Sequence, residues 1–322
     1  MDHAEDRRLG LGAEIPRFSV IIPAFNSVRY LARAIDSVLS QEGNAAEIIV
    51  VDDASTDGTD SLIRQYDHRV RYLQLKINRG VAAARNFGAQ NATGEWLAFL
   101  DADDFYYPNR LSLHAEWIAQ DPHLDFLTGD YDYQGPLGEA LGSSMAQRPC
   151  GRKMLTKAGD ASRVVMQPDD FEDFVAEHFG DTHTLSVPRR TFLKLCGYPE
   201  DFKVCEDVHL LTRLVAVSQR VGVCCTKMGV YVVHGTSATR RDPVQSQHEN
   251  VRTLQHLAGL AATFPDSVTR GVRRRLRQGR LNLAYALVKA GRRGAALKAV
   301  LPSLLENPGF KSTRDLLSIL KG

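Results

Sequence analysis

The chain has 322 residues, of which 43% are hydrophobic and 24% charged, the composition of an ordinary globular protein with one large or two modest domains. No run approaches the roughly 18 apolar residues of a membrane span. Met1 to Arg17 is polar without an apolar signal core, and the five cysteines have no C-x-x-C spacing, which argues against secretion, a disulfide framework and a zinc site. The expected setting is the cytosol or the cytosolic face of a membrane. A net charge of +2 hides a split: residues 1–266 carry 27 Lys/Arg and 36 Asp/Glu, whereas residues 267–322 carry 13 and 2.

In chain order, Phe18 to Ile22 is a run of strand formers closed by Pro23, and Leu31, Ala34, Ile35, Val38 and Leu39 then recur at helical spacing. Glu47 to Val51 is a second apolar run, stopped by Asp52-Asp53. Asp57 to Tyr66 reads as a short helix after a Ser/Thr/Asp/Gly turn, Val70 to Leu75 as a strand, and Gly80 to Gln90 as an Ala-rich helix. Trp96 to Leu100 is a fourth strand, ending at Asp101. Alternating strands and helices with apolar strands predict a largely parallel sheet covered on both faces. In such sheets ligands bind beyond the carboxyl ends of the strands, where Asn26, Asp52-Asp53 and Asp101-Ala102-Asp103 fall.

The second half is less periodic. Asp130 to Arg152, rich in Gly and Pro, reads as loops, and Phe171 to Phe179 as a helix. Leu185 to Val187 is a candidate strand. Val208 to Val217 has helical spacing. Val221 to Cys225 and Gly229 to Val233 read as two strands, the second ending at His234. Helical patterns dominate from Gln245 onward. Ser267 to Leu305 holds ten Lys/Arg and no acid. Two readings are open there: a helix on an anionic membrane surface, or a helical hairpin turning at Gly291 to Gly294 with its apolar face on the rest of the protein. Aromatic interleaving is lacking, which argues against nucleic acid as a partner. Trp96 and Trp117 read as core residues.

Asp101-Ala102-Asp103 is the sharpest chemical feature. Two carboxylates at a strand end suit a hard divalent cation, Mg²⁺ or Mn²⁺, which keeps positions open for substrate phosphates. Around it stand Ser19 to Asn26, Glu47 to Thr59, Asn78-Arg79-Gly80-Val81-Ala82-Ala83-Ala84-Arg85-Asn86, and Gly94 to Asp104. These four blocks, in this order and spacing, resemble family 2 glycosyltransferases. The motif-bearing likeness covers residues 17–110, with looser echoes to about 235.

The resemblance implies a GT-A fold: an α/β, Rossmann-like, mostly parallel sheet with helices on both faces over 17–235, divided into a nucleotide-binding part (17–110) and an acceptor-binding part (111–235). A basic, helical C-terminal extension (236–322) follows. The resemblance also implies inverting transfer of a sugar from a nucleoside-diphosphate donor, with uridine the usual nucleoside, to a saccharide or lipid-linked acceptor. By analogy alone, the resemblance points to a cell-surface polysaccharide or lipid-linked oligosaccharide pathway as the context. It places Pro23 and Asn26 where the first strand meets the nucleotide, Asp53 on the nucleobase, Gly80 and Arg85 beside base and diphosphate, Asp101 on the ribose or sugar, and Asp103 on the cation.

Cys205-Glu206-Asp207-Val208-His209 resembles the family's Glu-Asp motif, which makes Asp207 the general base and Glu206 an orienting residue; capping a helix is the plainer reading of the pair. His234 matches a metal-binding histidine, with a structural role as the alternative. Cys196-Gly197-Tyr198-Pro199-Glu200 and Cys205 depart from the usual pattern on the acceptor side, so the acceptor stays open. Two rivals are a sugar-nucleotide nucleotidyltransferase, against which stands the lack of a basic Gly-rich loop after Ile22, and a non-catalytic sugar-nucleotide-binding member of the fold.

Overall fold

The computed structural model describes residues 15–42, 45–234 and 242–306. The first third alternates as expected: β1 (Phe18–Ala24), α1 (Leu31–Leu39), β2 (Ala45–Asp52), α2 (Thr59–Arg64), β3 (Arg71–Gln74), α3 (Val81–Asn91) and β4 (Trp96–Phe99). Strand β1 is buried along all seven residues and pairs in parallel with β2 and β4, while β2 pairs in parallel with β3.

The period-2 geometry of the strands sends alternate side chains to opposite faces. Ile21, Ile49, Val51, Leu97 and Phe99 enter one apolar cluster. Val20, Ile22, Ile48, Val50, Ala98 and Leu100 enter another, together with Leu31, Ala34, Ile35 and Val38 of α1. Helix α3 covers the first face so closely that a Cβ at Gly88 would lie 2.6 Å from Ile21 Cγ2.

Then come β5 (Phe105–Tyr106), α4 (Arg110–Gln120), β6 (Phe126–Gln134), β7 (Ala140–Ser143), α5 (Ser144–Gln147), α6 (Pro149–Ala158), β8 (Arg163–Met166), α7 (Phe171–Glu177), β9 (Ser186–Pro188), α8 (Arg189–Lys194), α9 (Glu206–Ala216) and β10 (Val221–Val232). The sheet order is β3-β2-β1-β4-β9-β6-β10-β5, with β7 on β6 and β8 on β10. Its first four strands are parallel. Beyond β4 it is mixed: β9 runs antiparallel to β4 and β6, and β10 runs parallel to β6. The parallel pattern expected from the strand–helix alternation is therefore a property of the first half.

Two local expectations change. Asp130 to Arg152 is structured rather than looped. Asp130 is buried inside β6 because its carboxylate accepts the backbone N–H groups of Tyr131 and Met145, so its polarity does not mark a surface turn. Pro149 opens α6 at the first helical position, where its missing N–H costs nothing. The two strands read before His234 are one, β10, whose register shifts between Cys224 and Val230 absorb the polar interruption.

Three helices complete the described chain: α10 (Pro243–Gly259), α11 (Asp266–Lys289) and α12 (Arg293–Glu306). Leu254, Leu257, Val268, Val272, Leu276 and Leu287 join the same apolar cluster as Phe171, Phe174, Leu210 and Leu211. The basic face of α11 meets acids on α7: Arg270 pairs with Glu172 at 2.6 Å, and Arg274 with Glu172 at 3.1 Å and Asp173 at 2.8 Å. The hairpin reading of this region thus has its packing surface. The turn lies at Ala290 to Arg292; of the junction expected near 236–245, residues 236–241 fall outside the described residues, and α10 begins at Pro243. Among the described residues no helix is long and apolar enough to cross a membrane.

Candidate functional site

Four carboxylates expected to act together open onto one cavity. Asp101 and Asp103, just past β4, and Glu206 and Asp207, in the first turn of α9, line a space of about 410 Å³ with Arg85 of α3. A neighbouring cavity of about 320 Å³, which shares Val81 with the first, is lined by Pro23, Asp53, Asn78 and Gly80.

Arg85 joins the halves. Its side chain is only 3% exposed and donates to Asp101 Oδ1 at 2.6 Å and to Glu206 Oε1 at 2.9 Å, with its guanidinium 5.0 Å from the centre of the Tyr198 ring. Asn86, one residue on, donates to Tyr198 O and accepts from Tyr198 N–H. Arg79 pairs with Glu200 at 2.7 Å. The block around Arg85 therefore clamps the Cys196–Glu200 loop of the second half.

Asp53 is 2% exposed. Its two oxygens accept the N–H groups of Arg79 (2.8 Å) and Gly80 (2.7 Å). That fixes the turn before α3, where Gly80 takes φ +92°, a conformation L side chains rarely adopt. Asn26 stands apart from the lining of both cavities: it is exposed, and its side-chain Oδ1 accepts the N–H of Thr56. It organises the loop beyond β1.

Asp103 Oδ2 lies 3.8 Å from His234 Nε2, and the ring of His234 packs on Tyr30 at 4.9 Å. Burial, with the Asp101 charge beside it, raises the Asp103 carboxyl above the usual range. Carboxylates and an imidazole crowded so closely are a donor set suited to a hard or borderline divalent cation, whose charge would relieve that strain. Among the described residues no three His, Cys, Asp or Glu side chains converge as a complete cage, so a cation here would draw further ligands from a diphosphate or water.

Burial pushes the Glu206 carboxyl up to about 7, with Arg85 pulling it down and the Asp207 charge pushing it further up. Burial also opposes charge on Asp207, yet His178, Asp181 and the N–H of Val208 hold it below the ordinary value. Asp181 takes the complementary position, held well above its ordinary value by burial and by Asp207. The two carboxyls thus push each other in opposite directions, Asp207 towards the charged form and Asp181 away from it.

Sequence reasoning missed Asp181, His178 and Tyr131, all in the cavity wall. A usable signal was the polar run His178-Phe179-Gly180-Asp181-Thr182-His183 directly before the apolar Leu185–Val187. It also missed Arg275, because nothing local to α11 says that this helix reaches the cavity.

Residues 19–190 match the model of the family described as Glycosyl transferase family 2. Among curated relatives, the succinoglycan biosynthesis protein ExoO of Rhizobium meliloti is 44% identical over 30% of this chain and 28% of its own length. The putative teichuronic acid biosynthesis glycosyltransferase TuaG of Bacillus subtilis is 39% identical over 34% of this chain and 43% of its own. The matches span less than half of either relative. Among solved structures, Staphylococcus aureus TarS residues 1–349 in complex with UDP has a TM-score of 0.60 at 20% identity, covering 84% of this chain and 70% of that one. The mannosyltransferase PcManGT of Pyrobaculum calidifontis, in complex with GDP-Man and Mn²⁺, has 0.56 at 20%, covering 94% and 79%. These likenesses establish the GT-A-like fold.

Proposed function

This chain belongs to glycosyl transferase family 2, and we propose that it is a glycosyltransferase that moves a sugar from a UDP-type donor to an acceptor hydroxyl with inversion at the anomeric carbon. The observation that carries this reading is the shared cavity: Asp101, Asp103, Glu206 and Asp207 line one space, with the Asp53–Gly80 turn next door.

Asp53 and the Gly80 turn, with Pro23, would frame the nucleobase, since a carboxylate with lone pairs left can accept the imide N–H of uracil. Asp101, steadied by Arg85, would meet ribose or sugar hydroxyls. Asp103 and His234 would hold a divalent cation, Mn²⁺ or Mg²⁺, whose chemistry is to neutralise charge on the departing diphosphate. Asp207 would take the proton of the acceptor hydroxyl as its oxygen bonds to the anomeric carbon from the face opposite the breaking bond to phosphate. The hydrogen bond from Asp181 would aim the Asp207 carboxylate, and Glu206, tethered to Arg85, would orient the sugar. Tyr131, Tyr133 and Tyr231 give the cavity flat, amphipathic walls suited to a saccharide.

Polysaccharide assembly at the inner face of the cell envelope is the context we infer from the relatives' names, with a saccharide or lipid-linked acceptor. The ion pairs between α11 and α7 favour packing over membrane contact as the main role of the basic stretch 267–305. A panel of nucleotide sugars, read by melting temperature with and without Mn²⁺, tests the reading. UDP-sugars are expected to raise the melting point most, and more with the cation present. A metal-independent response led by an unrelated ligand would overturn it.

A further inference from the structure

Besides Arg85, the shared cavity has three cations in its lining. Arg148 at the start of α6, Lys203 just before α9 and Arg275 in the middle of α11 all line it. Among the described residues none of the three forms an ion pair, and their one side-chain hydrogen bond is a long one, from Arg275 Nη1 to Val175 O at 3.4 Å. The neighbouring cations are committed elsewhere: Arg270 and Arg274 to acids on α7, Arg280 to Glu306, and Arg85 to Asp101 and Glu206. Arg275 is half-buried. The Asp207 charge acts on it without forming an ion pair, and a guanidinium partly withdrawn from water with no directly paired counter-charge favours an anion that supplies one.

Position says which substrate would do so. The nucleotide-side cavity has no Lys or Arg in its lining. The three cations come from residues 148–275, the part of the chain that also carries Glu206, Asp207 and Tyr231. We propose that Arg148, Lys203 and Arg275 form an oxyanion subsite for the acceptor, which carries a phosphate or carboxylate group close to the hydroxyl that receives the sugar. This rests on the transferase reading above and adds the acceptor's chemical class. Arginine's fork of donors matches both oxyanions, and charge-assisted bonds are the stronger kind.

The test titrates the full chain, saturated with UDP and Mn²⁺, with glycerol 3-phosphate and methyl glucuronide, each against its neutral counterpart, glycerol or methyl glucoside. Binding of one anion about tenfold tighter than its counterpart is expected, weakening as salt rises. Which anion is preferred tells phosphate from carboxylate. Arg148→Gln and Arg275→Gln should each remove the preference while UDP affinity stays put. Arg148 is exposed and makes no side-chain hydrogen bond among the described residues, so that variant keeps the test intact if Arg275→Gln misfolds. Equal binding of charged and neutral probes refutes the subsite. So does a loss of UDP affinity in both variants, which would assign the cations to the donor diphosphate. UDP binding without anion preference sinks this proposal alone; no UDP binding by the wild type sinks the transferase reading with it.

Discussion

Replacing Arg85 by Met is the sharpest perturbation of the bridge between the two halves. The guanidinium makes two charge-assisted hydrogen bonds, 2.6 Å to Asp101 and 2.9 Å to Glu206. Each such bond contributes about 1.5–3 kcal/mol, and removing one partner of a buried ion pair costs about 3–5 kcal/mol because the abandoned charge remains buried. Asp101 is 30% exposed and regains some water, so the lower part of that range, about 3–4 kcal/mol, is expected at pH 8.

Glu206 sets the pH dependence. Its carboxyl, pushed up to about 7 by burial, binds its proton more tightly in the folded than in the unfolded chain. The stability this confers is complete below the ordinary carboxylate value and is lost as pH rises through about 7. Without Arg85 the folded value climbs further, so the variant's deficit grows with pH. Urea unfolding of both metal-free proteins at pH 5.5 and pH 8 measures it. The deficit should shrink by at least about 1 kcal/mol at the lower pH, and adding Glu206→Gln should recover part of the loss at pH 8. A deficit under about 1 kcal/mol at pH 8, or one indifferent to pH, would refute the argument that this bridge neutralises buried charge.

Asp207→Asn should keep UDP binding and lower transfer by about 10²–10⁴-fold; a variant still turning over at the wild-type rate ends its role as base. Gly80→Ala meets no neighbouring atom but must hold φ +92°. A cost of about 1–3 kcal/mol is expected, with weaker UDP binding as the Asp53 turn loosens; an unchanged melting curve would count against that turn as a strained element. His209 is lowered to about 3 by burial, with Arg213 and His256 adding to the effect. Its contribution to stability is thus present above the ordinary histidine value and lost as pH falls. Urea midpoints at pH 7.5 and pH 5 should fall more steeply for the wild type than for His209→Gln, and parallel slopes would remove this histidine from the acid response. Chelation with EDTA should shrink the melting-point gain from UDP more than that from uridine, since only UDP carries the phosphates that complete a cation's shell; equal gains would argue against a cation between Asp103 and the diphosphate.

The sequence alone specified the nucleotide half: β1 to β4 and their helices follow from local periodicity, and Asp53, Asp101 and Asp103 lie at strand ends for the same reason. Asp207 was legible as an acid in the first turn of a helix. Hydrophobic period and turn chemistry act over a few residues, so they can be read in one dimension. Asp130 within a buried strand, and β10 as a single bulged strand, were settled by hydrogen bonds to partners 15 to nearly 100 residues away. The Arg85 bridge, 121 residues long in sequence to Glu206, the pairing of Asp181 with Asp207 in one cavity, and the arrival of Arg275 from α11 depend on how helices dock across the sheet. Docking is decided by the summed packing of faces rather than by any local pattern, and that is why tertiary structure alone put these charges around one cavity.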